Sequence, residues 1–377
     1  MSIKYPRSSL LALPALGVAI LLGLMSFAPA AVATESIWPA RETRQSAMIS
    51  DYRAMTCMQM PSAAYTGHLQ LDSKYDQSDA TKTTLTELNR ETKKIRDQLT
   101  RYQRGLLDAV RDFERADNPV EVNLALACLS DWLDAWGQGE ALLSTDVSST
   151  GRAVRKWSLA AISSGLLKVQ ALSNGQYRLS EVQEKWLQQL AEAVMNDYGP
   201  RQTLDFDWFN NHDYWAAWAV SATGMLLDKE DYLTWSGKTF RLALQQMQPG
   251  AGDYHYLPLE MARDNLAIDY THYALVPLAL LAEAEELNGT KLTSDEWARL
   301  GQLANLAGLG VLRERSVTEL TSRQDKVPSH KMIWLLPFLA LQPEHALALE
   351  LYQKVKSDIG HYGQVGGNLR PFYPEIE

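Results

Sequence analysis

Asn210-Asn211-His212-Asp213-Tyr214-Trp215-Ala216-Ala217-Trp218 reads as the opening of a buried helix. An asparagine side chain satisfies an orphan backbone N–H, so the helix is predicted to start at this pair of amides. Spacing of three and four residues then puts His212, Trp215 and Ala216 on one face, with Ala219 a turn further on. Aromatic and small residues floor that face and polar groups stand at its mouth, which is a pocket composition. A capped core helix with a hydrogen-bonded histidine has the same pattern, so the stretch speaks for helix before it speaks for function.

The windows on either side repeat the period. Upstream, Leu85, Leu88, Ile95, Leu99, Tyr102, Leu106, Val110 and Phe113 predict one long amphipathic helix, with Asp79 as its cap. Asn118-Pro119 opens the next, since proline is tolerated in a first turn. Val154–Leu172, Glu181–Tyr198, Asn211–Leu226, Asp231–Met247, Leu257–Leu287, Ser294–Leu312, Lys331–Leu341 and His345–Ile359 follow in the same style. No window alternates with period two between hairpin turns, so the chain is predicted to be all-α. Short loops between sequence-adjacent helices suit antiparallel hairpins closed into a ring or solenoid. The segment before Ser78 and the tail from Gly360 to Glu377 are predicted to be irregular.

Lys4 and Arg7, the apolar run Leu10–Phe27 and the small residues to Ala33 have the three parts of a secretory signal peptide, with cleavage expected after Ala33. Pro14 and the small-x-small sites argue against an uncleaved anchor, and no other stretch is apolar enough to span a bilayer. Cleavage removes two basic residues and no acidic ones, so the mature balance is 34 minus 45, or −11. That charge disfavours nucleic acid, and an anionic ligand would need a locally basic cleft. In an oxidising compartment Cys57 and Cys128 are expected to form a disulfide, with two buried free thiols as the alternative. Two cysteines cannot make a four-ligand zinc site, and the seven histidines show no HExxH spacing, so no metal or cofactor is expected.

With these residues in view the chain resembles the alginate lyases of polysaccharide lyase family five, which cleave polymannuronate. The resemblance rests on Asn210–Trp218, then on Ser73-Lys74-Tyr75 with Ser78-Asp79 and Leu85. Cys128–Trp136, Thr150–Trp157 and Arg263–Tyr270 with Tyr273-Ala274-Leu275 follow in the family's order. It covers nearly the whole chain after the signal peptide. It implies a helical-hairpin (α/α) toroid with an open cleft as a single domain over residues 34–377, a periplasmic location and an anionic polysaccharide substrate. Alginate export machinery is an implied partner. By the same resemblance the active site falls on Asn211, His212, Arg263 and Tyr270, and a lid over Ser73–Asp79 brings Lys74 and Tyr75 to the sugar. One departure stands out: where the family has a basic run, this chain reads Ala262-Arg263-Asp264-Asn265-Leu266.

The chemistry of those residues suits β-elimination. The C5 proton of a uronate is hardly acidic until the neighbouring carboxylate is neutralised, which Arg263 can do bidentately and Asn211 by a further hydrogen bond. Arg263 and Tyr270 lie two turns apart if their helix is continuous. An arginine nearby would ease ionisation of the phenol, making Tyr270 a proton carrier, with His212 as base or carboxylate partner. Trp215 and, in the loop Tyr254-His255-Tyr256, Tyr254 are the further subsite candidates. Taken without the resemblance, Arg263 reads as a solvated helix residue and Tyr270 as a core aromatic. Two rival functions remain on the sequence: a glycoside hydrolase using acids such as Asp205, Asp207, Asp213 or Glu260, and a non-catalytic alginate-binding scaffold.

Overall fold

Eleven α-helices joined by short 3-10 turns make up the architecture among the residues described, which are 1–2 and 33–376 of the computed structural model. The expected signal peptide falls almost wholly outside them. Among the described residues no helix is long and apolar enough to cross a membrane.

The first helix, α1 (Arg90–Arg115), starts later than the periodicity suggests. Its cap is Asn89, whose side chain accepts the Thr92 N–H at 2.7 Å, and Leu85 stands exposed ahead of it. Asp79 does a different job: its carboxylate accepts the backbone N–H groups of Thr81, Thr83 and Thr84, each at 2.9 Å. A short acidic side chain satisfying several local donors makes a turn, and that competes with helix. Residues 67–88 therefore form a strap.

Hairpin follows hairpin after that. α1 packs on α2 (Pro119–Gln138), α3 (Ser149–Leu172) on α4 (Glu181–Tyr198), and α5 (Asn211–Leu227) on α6 (Glu230–Gln246). After the four-residue α7 (Pro258–Met261), α8 (Ala267–Asn288) packs on α9 (Ser294–Leu312), and α10 (Leu335–Leu341) on α11 (Ala346–Val355). α5 touches α3, α4, α6 and α8, and its Tyr214, Trp215 and Trp218 have no exposed surface. α3, α5 and α8 are buried on nearly all sides, whereas α1, α4, α6 and α9 bury one stripe. Helices of the first kind line the inside of the toroid and those of the second kind face water.

The window predicted as one helix over Leu257–Leu287 is broken, because Asp264 takes a left-handed backbone at φ +48° and separates α7 from α8. Aspartate tolerates that region better than most side chains. Lys331–Leu341 likewise begins as a 3-10 turn, Ser329–Trp334, before α10. The all-α expectation holds apart from two short ribbons, β1 (Gln248–Pro249) with β2 (His255–Tyr256) and β3 (His361–Tyr362) with β4 (Gly367–Asn368). Gly366, at φ +78°, lies flat on α3, where a Cβ would come within 2.5 Å of the Gly165 nitrogen.

Cys57 and Cys128 are bonded, with Cα atoms 4.7 Å apart. Trp132 and Trp136 donate to the carbonyls of Gln59 and Ser62, so the N-terminal segment is sewn along α2. At the start of the strap, the Ser148 cap of α3 donates to the Leu71 carbonyl at 2.8 Å. A Cβ at Gly151 would collide with the Leu69 carbonyl, which explains the glycine there.

Candidate active site

α5 begins at the predicted pair of asparagines. Asn210 Oδ1 accepts the His212 N–H at 2.9 Å and Asp213 Oδ2 accepts the Asn210 N–H at 2.9 Å, a closed capping box. This start presents Asn211 and His212 to a cleft of about 1030 Å³. The strap, the start of α3, the turn after α4, the α7–α8 junction and Lys331 form its other walls.

The break at Asp264 decides how Arg263 meets Tyr270. They do not sit two turns apart on one helix; the guanidinium carbon lies 3.9 Å from the Tyr270 ring centroid and 5.1 Å from that of Tyr75. One guanidinium nitrogen donates to the Lys82 carbonyl at 2.7 Å, while Nε is buried without a partner. The Tyr270 hydroxyl donates to that of Tyr75 at 3.2 Å. Burial raises the Tyr270 phenol well above its ordinary value, more than Arg263 draws it down, so the expectation that arginine would ease its ionisation is corrected. For Tyr75 burial is again the largest single effect and acts upward. The bond from Tyr270, with Lys74 and Arg263, outweighs it, and the net direction is down. Lys74 lies 4.7 Å over the Tyr75 ring.

Asn211 donates its backbone N–H to Glu260 at 2.8 Å and its amide to both Glu260 oxygens at 2.9 and 3.0 Å. Its donors are thus taken, and its buried Oδ1 has no partner. His212 lies 3.2 Å, through Nδ1, from the ammonium of the buried Lys156. Burial, followed by the charges of Lys156, Arg201 and Arg263, holds this imidazole well below its usual range. Two of the predicted subsite residues are elsewhere. Trp215 has no exposed surface and packs behind the cleft on Tyr273 and Tyr362, at ring distances of 5.2 and 6.0 Å. Tyr254 is buried too, with its hydroxyl on Glu319. Neither lines the cleft.

Seven Lys or Arg residues line the cleft against two acids, Asp197 and Glu260, so an acidic protein carries a basic groove. Both acids are already engaged, Asp197 by Arg155 at 2.7 Å and Glu260 by Asn211. Asp213 is paired with Arg201 at 2.7 Å, and Asp205 and Asp207 are exposed outside the cleft. The arrangement offers no two free facing carboxylates, the requirement of a hydrolase. Among the described residues no three His, Cys, Asp or Glu side chains converge as a metal site requires.

A family model described as alginate lyase matches residues 70–316. The alginate lyase of Pseudomonas fluorescens is 32% identical over 330 residues, covering 84% of each chain. That of Cobetia marina is 31% identical over 331 residues, covering 84% of this chain and 83% of its own. The chain belongs to the alginate lyase family. Among solved structures, alginate lyase A1-III from Sphingomonas species A1 superposes with a TM-score of 0.66 at 16% identity, over 88% of this chain and 93% of that one. The shared fold is the helical-hairpin toroid.

In and behind the cleft of this lyase stand residues that its sequence did not announce. The basic run missing beside Arg263 is replaced from other elements. Lys331 pairs with Asp269 at 2.5 Å and stands 5.2 and 5.1 Å from the Tyr270 and Tyr273 rings. Arg201 follows Gly199-Pro200 in a turn without period, so nothing local marks it. Tyr273 lines the floor and accepts a bond from Gln364 at 3.3 Å. Lys156 sat inside one of the quoted family runs, but helical periodicity gave no reason for a lysine to be buried there.

Proposed function

We propose that this alginate lyase is specific for mannuronate-rich polymer and that Tyr270, with Tyr75 beside it, moves the proton. In mannuronate the C5 hydrogen and the C4 oxygen lie on one face of the ring, so one phenol group reaches both. The C5–H bond breaks to a phenolate, its electrons form the C4=C5 double bond, and the C4–O bond breaks as the leaving oxygen takes the proton from the phenol. The observation that carries this reading is the stack of Arg263 on Tyr270, 3.9 Å from its ring, with the Tyr75 hydroxyl 3.2 Å away. Arg263, whose Nε is unpartnered, neutralises the uronate carboxylate, and its charge over the ring works against the burial that opposes a Tyr270 phenolate. His212 supplies a second group to the carboxylate, and Asn211 joins only by releasing a bond to Glu260.

Two of the solved A1-III structures support the same residue types: a His-to-Ala variant and a Tyr-to-Phe variant, each complexed with a tetrasaccharide. Export to the periplasm fits the disulfide, which persists in oxidising compartments. The test is near-ultraviolet absorbance of the unsaturated product on polymannuronate and on polyguluronate, where the two groups lie on opposite ring faces. A clear preference for polymannuronate is expected. Equal rates contradict the one-sided transfer, and binding without absorbance indicates a scaffold.

A further inference from the structure

Two lysines of α3 are fully buried, and they are held in opposite ways. Lys168 forms an ion pair with Glu114 and donates to the Gly366 carbonyl at 2.8 Å, so its charge is answered. Lys156 touches no carboxylate. Its ammonium lies 3.2 Å from His212 Nδ1, 4.0 Å over the Trp157 ring and 5.6 Å from the Tyr198 ring. A lysine with no exposed surface and no acid in contact is costly, and such groups are kept where they act on something.

We infer that Lys156 is a positioning residue that donates to His212 Nδ1 and so fixes the neutral imidazole with its proton on Nε2, facing the cleft. An ammonium has donors only, so a nitrogen bonded to it must be the bare one. The two aromatic faces stabilise the positive charge without competing for the bond, and Asp213, itself paired with Arg201, adds attraction from α5. Burial is nonetheless the largest effect and, with repulsion from Arg201, it holds the Lys156 ammonium well below its ordinary value in the free protein. A polyanion in the basic groove shifts that balance back toward ammonium. His212 then serves the uronate carboxylate as a hydrogen-bond donor, not as the base that takes the C5 proton. The inference deepens the proposed reading of the cleft, and it is read out independently of turnover.

The experiment uses the mature protein with 15N-histidine labelling, the His212 signals being assigned by their loss in His212→Ala. With unsaturated oligomannuronate product held in the groove, the wild type is expected to show His212 Nδ1 bare and Nε2 protonated at neutral pH. Lys156→Met, a substitution of similar volume that removes a buried charge, is expected to fold and to show a mixed tautomer. Its kcat should fall about 10- to 100-fold, as for other groups that orient a functional imidazole. Lys156→Gln keeps a donor and should recover part of both. Adding Lys156→Met to His212→Ala should cost nothing further, whereas a merely structural lysine gives multiplicative losses. A bare Nε2 in the wild type overturns the inference even if the lyase chemistry stands. An unchanged tautomer in folded Lys156→Met does so too.

Discussion

Tyr270 and Tyr75 meet hydroxyl to hydroxyl, yet they come from opposite kinds of structure. Tyr270 stands on α8, whose residues from Ala267 to Ala282 are all buried and whose neighbours α5 and α9 are themselves packed. Tyr75 stands on the strap, which is anchored in the core at Leu69 and Leu71 but takes its shape over residues 73–86 from polar bonds: Asp76 N–H to the Thr84 carbonyl, Thr86 N–H to the Lys74 carbonyl, and the Asp79 turn. The floor is therefore stabilised by burial and the strap by local hydrogen bonds, each worth only about 1 kcal/mol net. Elements that open and close over ligands are drawn from the second kind.

Substitutions on the two walls should separate stability from activity. Trp215→Ala, beneath the floor, is expected to cost about 3–5 kcal/mol in denaturant unfolding, because it empties a large buried volume. A loss under about 1 kcal/mol would put Trp215 at the cleft surface, where the sequence reading had it. Reduction of Cys57–Cys128, which closes a loop of 71 residues in sequence separation, should cost on the order of 2–5 kcal/mol while leaving the cleft intact. On the strap, Tyr75→Phe should lower kcat about tenfold and leave the unfolding midpoint unmoved. Lys74→Ala should weaken activity too, with stability changed by no more than about 0.5 kcal/mol. A large stability loss at either strap position would show that the strap is part of the core.

The back of the floor carries a pH dependence of its own. Glu283 on α8 accepts the Tyr373 hydroxyl at 2.6 Å, and Tyr373 accepts the Trp38 indole N–H at 3.1 Å, which clasps both chain ends to the toroid. Burial raises the Glu283 carboxyl to about 8. The folded state therefore keeps a proton that the unfolded state has lost above about 4.3. Its contribution to stability is full below that value and is lost as pH rises to about 8. Glu283→Gln should flatten the stability profile across this window; an unchanged slope would place the titration elsewhere.

Legibility in the sequence followed the same division. Glu181–Tyr198 and Ser294–Leu312 match their predicted bounds to the residue, because burial of one stripe writes a period over many positions. The start of α5 was legible for a local reason, the amide cap. Asp79 was misread because a short acid ahead of an apolar period has the look of a helix cap whether it caps a helix or a turn. The continuous helix through Arg263 failed at a single residue, Asp264, whose backbone no periodicity records. Trp215 was taken for a subsite on composition, although nothing in a sequence tells the exposed side of an all-buried helix from its hidden one, and Tyr254 on its place in a loop, although that loop folds the phenol inward onto Glu319. Lys331 and Arg201 arrive from turns far along the chain, so only the folded molecule brings them to the cleft.

The central claim is that the Tyr270 phenol carries the proton, and Tyr270→Phe tests it most directly because the ring and its stack with Arg263 remain. Elimination of polymannuronate, followed by absorbance in the near ultraviolet, should fall roughly 100-fold or more while the variant folds normally and still binds the polymer. If Tyr270 only packs, the substitution costs about 1 kcal/mol of stability for its bond to Tyr75 and leaves turnover near that of the wild type. Near-normal elimination by a folded Tyr270→Phe protein would contradict the assignment.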